Sequence, residues 1–346
     1  MNKKDRYYEI DLFRFLAAMS VVMYHYTFRG YAADDMSPIY YPYLADITKY
    51  GFLGLDLFFM ISGFVILLTA TNRDFKGFFI SRIIRLYPAF WIAVTLTAIV
   101  ILLFGGERYD VGLIQYLANM TMLSGYMGIQ PIDDVYWTLI VEITFYVMIG
   151  VLLLTNQIKN IKYYLLAWLL ITAVSLYVGV PSVVRVLLIL DWSSYFIAGA
   201  VLYMIRKDGV SVDKIAMILV SYFLSLQFTY DRLDFLNEHY NTIFSTTIST
   251  LIITFLYIMM FLVSIKKTDF INKEFMLSLG VLTYPLYLIH ENIGFILLRI
   301  FGEQINRHVL LVILIAFMIF IAYLINRFIE KKYSVKLKEL LQRILK

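Results

Sequence analysis

Residues 51–70 read GFLGLDLFFMISGFVILLTA, twenty positions of which only Asp56 is charged. A helix of that length rises about 30 Å, the thickness of a bilayer's hydrocarbon core. The run is about twice as long as a spanning β-strand and does not alternate between apolar and polar residues. It reads as a membrane-crossing helix. Outward from it lie nine more runs of the same kind: Ile10–Phe28, Ile83–Phe104, Val135–Thr155, Tyr163–Val178, Val183–Ile205, Asp213–Thr229, Ile243–Ile265, Phe275–Ile300 and Val309–Phe328.

Composition agrees. Of 346 residues, 61% are hydrophobic and 16% charged, against about 45–50% and 25% in an average soluble protein. Mean hydropathy is +0.76. No soluble domain of this size hides so much apolar surface. An ordinary cytosolic enzyme, a disordered chain and a nucleic-acid binder are therefore excluded, despite the net charge of +5. With no cysteine, disulfide frameworks, thiolate metal sites, a Cys nucleophile and lipidation on cysteine are excluded too.

The expected fold is an all-α integral membrane protein, a bundle of about ten transmembrane helices forming a single domain over residues 1–346. Lys3, Lys4 and Arg6 ahead of the first run resemble a signal peptide. However, Asp11 and Arg14 interrupt that run and no small-x-small cleavage site follows, so it reads as a retained helix.

Lys and Arg set the orientation. With the N-terminus inside, 22 of the 30 fall on inner segments, from Lys3, Lys4 and Arg6 through Lys266, Lys267 and Lys273 to Lys346. Seven fall on outer loops, among them Arg29, Arg185 and Arg232, and Arg14 lies within a span. Both termini are expected to be cytoplasmic. The short amphipathic tail, about residues 330–346, is expected to lie on the anionic inner leaflet.

Ionisable side chains are expensive in hydrocarbon, which makes each one a functional candidate. His25 lies about 22 Å from the inner end of its span, and His290 about as far along its own. Asp56 and Glu142 enter from the outer side and sit about 8 and 10 Å down. Two histidines and two carboxylates thus reach one level. A His poised by a carboxylate is a general base near neutral pH. The same four groups can also be interhelical hydrogen bonds or a transporter's proton relay, and depth does not separate these. No HxxxH or HExxH spacing supports a metal, and none is expected. At the inner face Arg82 and Arg85 stand three apart on one helical face, a pair suited to phosphate oxygens. Positive-inside bias also accounts for arginines there. Arg14 lies about 6 Å into the membrane, one turn from Asp11, and the two can simply pair.

At these residues the chain resembles the acyltransferase-3 family of bacterial multispanning O-acyltransferases. The opening helix Ile10-Asp11-Leu12-Phe13-Arg14-Phe15-Leu16-Ala17-Ala18, followed by Tyr24-His25-Tyr26, is similar to that family's first helix. Gly54-Leu55-Asp56-Leu57-Phe58-Phe59-Met60-Ile61-Ser62-Gly63-Phe64 is similar to its second-helix signature. Arg82-Ile83-Ile84-Arg85 matches its RxxR motif. Tyr136-Trp137-Thr138-Leu139-Ile140-Val141-Glu142 matches W-S-L-x-x-E, and Tyr284-Pro285-Leu286-Tyr287-Leu288-Ile289-His290 matches Y-x-L-Y-L-x-H. The motifs run in family order over about residues 8–330. Phe13 and Phe15 replace small residues, Thr138 stands where Ser is common, and Pro285 is placed to kink its helix.

The resemblance implies an acyl transfer, commonly of acetyl, from cytoplasmic acyl-CoA to a hydroxyl of a cell-surface saccharide or its lipid-linked precursor. Arg82 and Arg85 would hold the CoA phosphates, with Arg14 and Asp11 shaping the donor passage. His25 would act on the acceptor hydroxyl or in acyl relay, and Glu142 would set its tautomer or charge. Asp56 and His290 would support the core. The expected location is the cell (inner or plasma) membrane, crossed many times, with acyl-CoA, a saccharide and the lipid bilayer as partners and no nucleic acid. The alternative is a proton-coupled transporter or flippase of a lipid-linked saccharide.

Overall fold

A computed structural model describes residues 7–271 and 274–344. Lys3, Lys4, Arg6, Lys273 and Lys346, which entered the charge count, lie outside the described residues. Among those described there is no strand, and twelve helices have eleven residues or more. In chain order they are α1 (Tyr8–Tyr24), α2 (Gly54–Ala70), α3 (Phe75–Phe104), α4 (Trp137–Leu154), α5 (Ile161–Val174) and α6 (Leu190–Asp208). There follow α7 (Val212–His239), α8 (Thr246–Ser264), α9 (Glu274–Ile289), α10 (Glu291–Phe301), α11 (Arg307–Leu324) and α12 (Lys331–Ile344).

Seven helical runs are long and apolar enough to cross a bilayer, built on α2, α3, α4, α6, α7, α8 and α11 with α12. The late run Phe275–Ile300 is not straight: α9 and α10 meet at an angle of 68°, and the pair makes an eighth span if counted as one. The chain is a multi-pass membrane protein. Two of the ten runs fall short of that test. Helix α5 has 14 residues, about 21 Å of rise. Helix α1 runs on without a break through His25–Arg29 to Ala32, long enough to span, but it carries Glu9, Asp11 and Arg14. The tail helix α12 continues α11 through a π-helical segment, Ile325–Glu330.

The chain divides into two compact units, each assembled from three separate stretches. The first comprises residues 1–17, 52–78 and 141–277. Its centre is the crossing of α2 with α6, where glycine lets two backbones meet. A Cβ on Gly63 would collide with the Phe196 carbonyl, and one on Gly199 with the Met60 carbonyl. Lipid gives apolar helices little reason to prefer each other, so close backbone packing of this kind supplies the attraction. One end of the crossing is tied by Thr71 and Tyr203, whose hydroxyls lie 2.9 Å apart.

The second unit comprises residues 18–51, 79–140 and 278–346. Its defining feature is the α9–α10 break at His290. There the helical ladder loses the step between the Leu288 carbonyl and the Asn292 amide, and side chains replace it. The Tyr136 hydroxyl donates to the Leu288 carbonyl at 3.2 Å. The Asn292 N–H donates to Asp133 Oδ2 at 3.1 Å. The His290 carbonyl keeps its backbone partner, the Gly294 amide at 3.2 Å, and the Tyr26 hydroxyl adds a second donor to it at 2.7 Å. Broken backbone survives at membrane depth only with such substitutes. Pro285 lies five residues before the break, inside α9.

Candidate active site

In the second unit, α1 runs into a π-helical segment, His25–Arg29, a wider turn that occurs often at functional positions. It presents His25 and Arg29 to the broken helix. His25 and His290 come together there, with ring centres 4.8 Å apart and Nε2 of His290 at 3.2 Å from Nδ1 of His25. His25 Nδ1 also lies 2.8 Å from the Val21 carbonyl, and His290 Nδ1 2.8 Å from the Tyr287 carbonyl. On its other side the His25 ring meets a carboxylate, with Nε2 at 3.3 Å from Glu291 Oε1.

Arg29 approaches the same oxygen at 3.6 Å and reaches Asp134 at 3.5 Å. His25, His290 and Glu291 are 7%, 0% and 1% exposed, so the cluster is cut off from bulk water. Beside it, burial and then the Glu291 charge push the Asp133 carboxyl well above the usual carboxylate range. Burial likewise raises the Tyr109 phenol to about 12. Among the described residues no three His, Asp or Glu side chains converge as metal ligands.

Glu291 and Arg29 did not emerge from sequence. Arg29 counted only as a loop charge. Glu291 follows His290 directly, and neighbours on a straight helix point about 100° apart. The break lets both face one cluster, and adjacency to His290 at that depth was the available signal.

The other candidates have partners of their own. Asp56, fully buried, takes both forks of Arg232 at 3.0 and 2.6 Å and the Tyr195 hydroxyl at 3.2 Å. Arg232 and Tyr195 also line a cavity of about 390 Å³ with Arg185, Asp191 and Trp192. Arg185 is matched there by Asp191 at 2.6 Å, so the cavity's guanidiniums are already engaged by carboxylates and suit a phosphate poorly.

Glu142 Oε1 accepts from Ser62 at 3.0 Å and from the Tyr146 hydroxyl, all within the first unit. In that unit Asp11 is buried and Arg14 half-buried on α1. In the second unit, on α3, Arg82 Nε donates to Ser81 Oγ at 3.2 Å. The Arg85 guanidinium stands 5.9 Å from the Tyr284 ring centre and makes no ion pair among the described residues.

A family model described as "Acyltransferase domain", that of acyltransferase-3, matches residues 7–327. The chain belongs to the acyltransferase-3 family. The match takes in both units and every candidate residue above. The acyltransferase-3 chain is 28% identical over 163 residues to "Nodulation protein 10" of Rhizobium leguminosarum bv. viciae, covering 41% of the chain and 43% of that protein. It is 28% identical over 159 residues to "Putative peptidoglycan O-acetyltransferase YrhL" of Bacillus subtilis (strain 168), covering 40% and 22%. With "Putative acetyltransferase ORF330" of Acidianus two-tailed virus it shares 24% identity over 257 residues, 70% of the chain and 73% of that protein. The chain thus spans less than half the length of the first two relatives. No solved structure matches it.

Proposed function

We propose that this membrane protein transfers an acyl group, acetyl first among candidates, from acyl-CoA to a hydroxyl of a cell-surface saccharide or its lipid-linked precursor. The observation that carries the reading is the buried His25–His290–Glu291 cluster inside a membrane protein of an acyltransferase family. A hydroxyl is a weak nucleophile at neutral pH and needs a group to take its proton as it attacks the thioester carbonyl. A buried imidazole–carboxylate pair supplies such an acceptor. Two of the relatives are named as putative acetyltransferases, which supports the same chemistry. Purified protein in nanodiscs should release CoA from acetyl-CoA faster when an oligosaccharide acceptor is added, with new ester detected on the sugar. Accumulation of acceptor without ester would instead favour a transporter.

For the donor, Arg82, Arg85 and Arg14 are proposed to bind acyl-CoA. Arg85 is the best placed for a phosphate, since its guanidinium engages an aromatic ring and, among the described residues, no carboxylate. Arg85→Ala should weaken acetyl-CoA binding by about 1.5–3 kcal/mol, the worth of a charge-assisted contact. Arg85→Lys should recover only part, because an ammonium lacks the planar fork. Isothermal titration with acetyl-CoA checks this, and an unchanged Kd returns Arg85 to the positive-inside pattern.

The carboxylate in contact with His25 is Glu291, whereas the resemblance points to Glu142. Rates of Glu142→Gln and Glu291→Gln, measured side by side, tell which one governs the imidazole.

Ten spans in the plasma or inner membrane, with both termini cytoplasmic, complete the proposal. The support is the excess of Lys and Arg on alternate connections. Reporters fused at Asn237 and Lys267, at opposite ends of α8, should report outside and inside respectively. The same side for both would overturn this topology.

A further inference from the structure

The hydrogen-bond acceptors around His25 leave it no free nitrogen. The Tyr287 carbonyl only accepts, so His290 Nδ1 carries the hydrogen and its Nε2 the lone pair. His25 Nδ1 faces two acceptors, the Val21 carbonyl and His290 Nε2, and must itself carry a hydrogen. That leaves Nε2, which meets Glu291 Oε1 at 3.3 Å. Two lone pairs do not face each other at that distance, so one proton lies between them. Either His25 is an imidazolium beside a carboxylate, or Glu291 is a carboxylic acid donating to a neutral ring. In both cases an incoming hydroxyl finds neither nitrogen open. The acceptor that is open is Glu291 Oε2, buried and without a hydrogen-bond partner among the described residues.

We infer that Glu291 is a catalytic residue whose Oε2 takes the proton of the acceptor hydroxyl, with His25 behind it holding the proton the pair already shares. This rests on the acyl-transfer reading. The hydroxyl oxygen bonds to the thioester carbonyl carbon, and its proton bonds to Oε2. If the shared proton starts on Oε1, it moves to His25 Nε2 in the same step; if it starts on Nε2, it stays. Both routes end with an imidazolium beside a protonated Glu291. The C–S bond then breaks, and the CoA thiolate takes one proton back from the pair. The products are an ester and a free thiol.

Other charges face the pair. Arg29 lies 3.6 Å from Oε1, and Asp134 is tied to Arg29 at 3.5 Å. Asp133 is held by the Asn292 and Val135 amides, Tyr26 by the His290 carbonyl, and Tyr109 stands within electrostatic reach.

The experiment measures CoA release from acetyl-CoA across pH, with water or an N-acetylhexosamine oligosaccharide as acceptor. Wild type, Glu291→Gln, Glu291→Asp and His25→Ala are compared in nanodiscs, with acetyl-CoA binding determined in parallel. Glu291→Gln should lower kcat by about 10²–10⁴-fold, leave CoA binding and acceptor KM within about threefold, and lose the acidic limb of the pH–rate profile. Glu291→Asp should keep that limb at a reduced rate. A Glu291→Gln rate within threefold of wild type, with its acidic limb in place, overturns the inference even if His25→Ala is dead. Should Glu291→Gln fail to fold, a Glu291→Asp rate and profile equal to wild type overturn it as well. No CoA release from wild type with any acceptor overturns the acyl-transfer reading itself.

Discussion

Replacing His25 by alanine is expected to abolish ester formation, a loss of at least 10²–10⁴-fold, while acetyl-CoA binding and the fold persist. That range is what a positioned acid–base group supplies against an unaided hydroxyl. The ring sits where the cluster converges, touching Val21, His290 and Glu291. Its removal deletes the only basic partner of Glu291 other than Arg29 among the described ion pairs. Glu291 then loses the group that shares its proton. The Arg82–Arg85 stretch is untouched, so donor affinity should hold. Turnover and acetyl-CoA binding on expression-matched, detergent-purified protein check this. Near-normal turnover would make the cluster an interhelical tie or a proton path instead of a reaction centre.

The largest stability effect is expected at Asp56. Both its oxygens are used by Arg232, at 3.0 and 2.6 Å, and the guanidinium lies 4.9 and 4.8 Å from the Phe52 and Trp192 ring centres. Taking away one partner of a buried pair leaves the other charge stranded, at a cost of about 3–5 kcal/mol. Asp56→Ala should therefore lower unfolding stability by that amount in a detergent denaturation series. Asp56→Asn should cost less, since its amide oxygen still accepts one fork. A shift under about 1 kcal/mol for Asp56→Ala would mean that solvent already screens the pair.

Much of the fold could be read from the chain because a twenty-residue apolar window has few competing explanations. Where that reading strained, length was the reason. The run Asp213–Thr229 stops at the first charges of Asp231, Arg232 and Asp234, yet α7 continues to His239. Arg232 therefore looked like a loop residue, and the partner of Asp56 stayed hidden. His25 and His290 were visible because a fixed rise per residue turns sequence distance into depth. Glu291 was not. Its orientation depends on a break that Pro285 hints at, but that Tyr26, Asp133 and Tyr136 make five residues further on. No local pattern announces a contact between residues 152 to 264 positions apart.

That separation also orders events in time. The side-chain bonds at the break join residues 264, 152 and 159 positions apart, Tyr26 to His290, Tyr136 to Leu288 and Asp133 to Asn292. A ribosome delivers the chain from its N-terminus, at about 5–20 residues per second. Asp133 and Tyr136 must therefore wait about eight to thirty seconds, polar groups already made, for the stretch that satisfies them. Contacts this distant in sequence are also the slowest to close. The reaction centre is thus among the last parts of its unit to assemble, and a nascent chain arrested before Leu288 should expose Asp133 and Tyr136 to whatever quality-control machinery surveys unfinished membrane proteins.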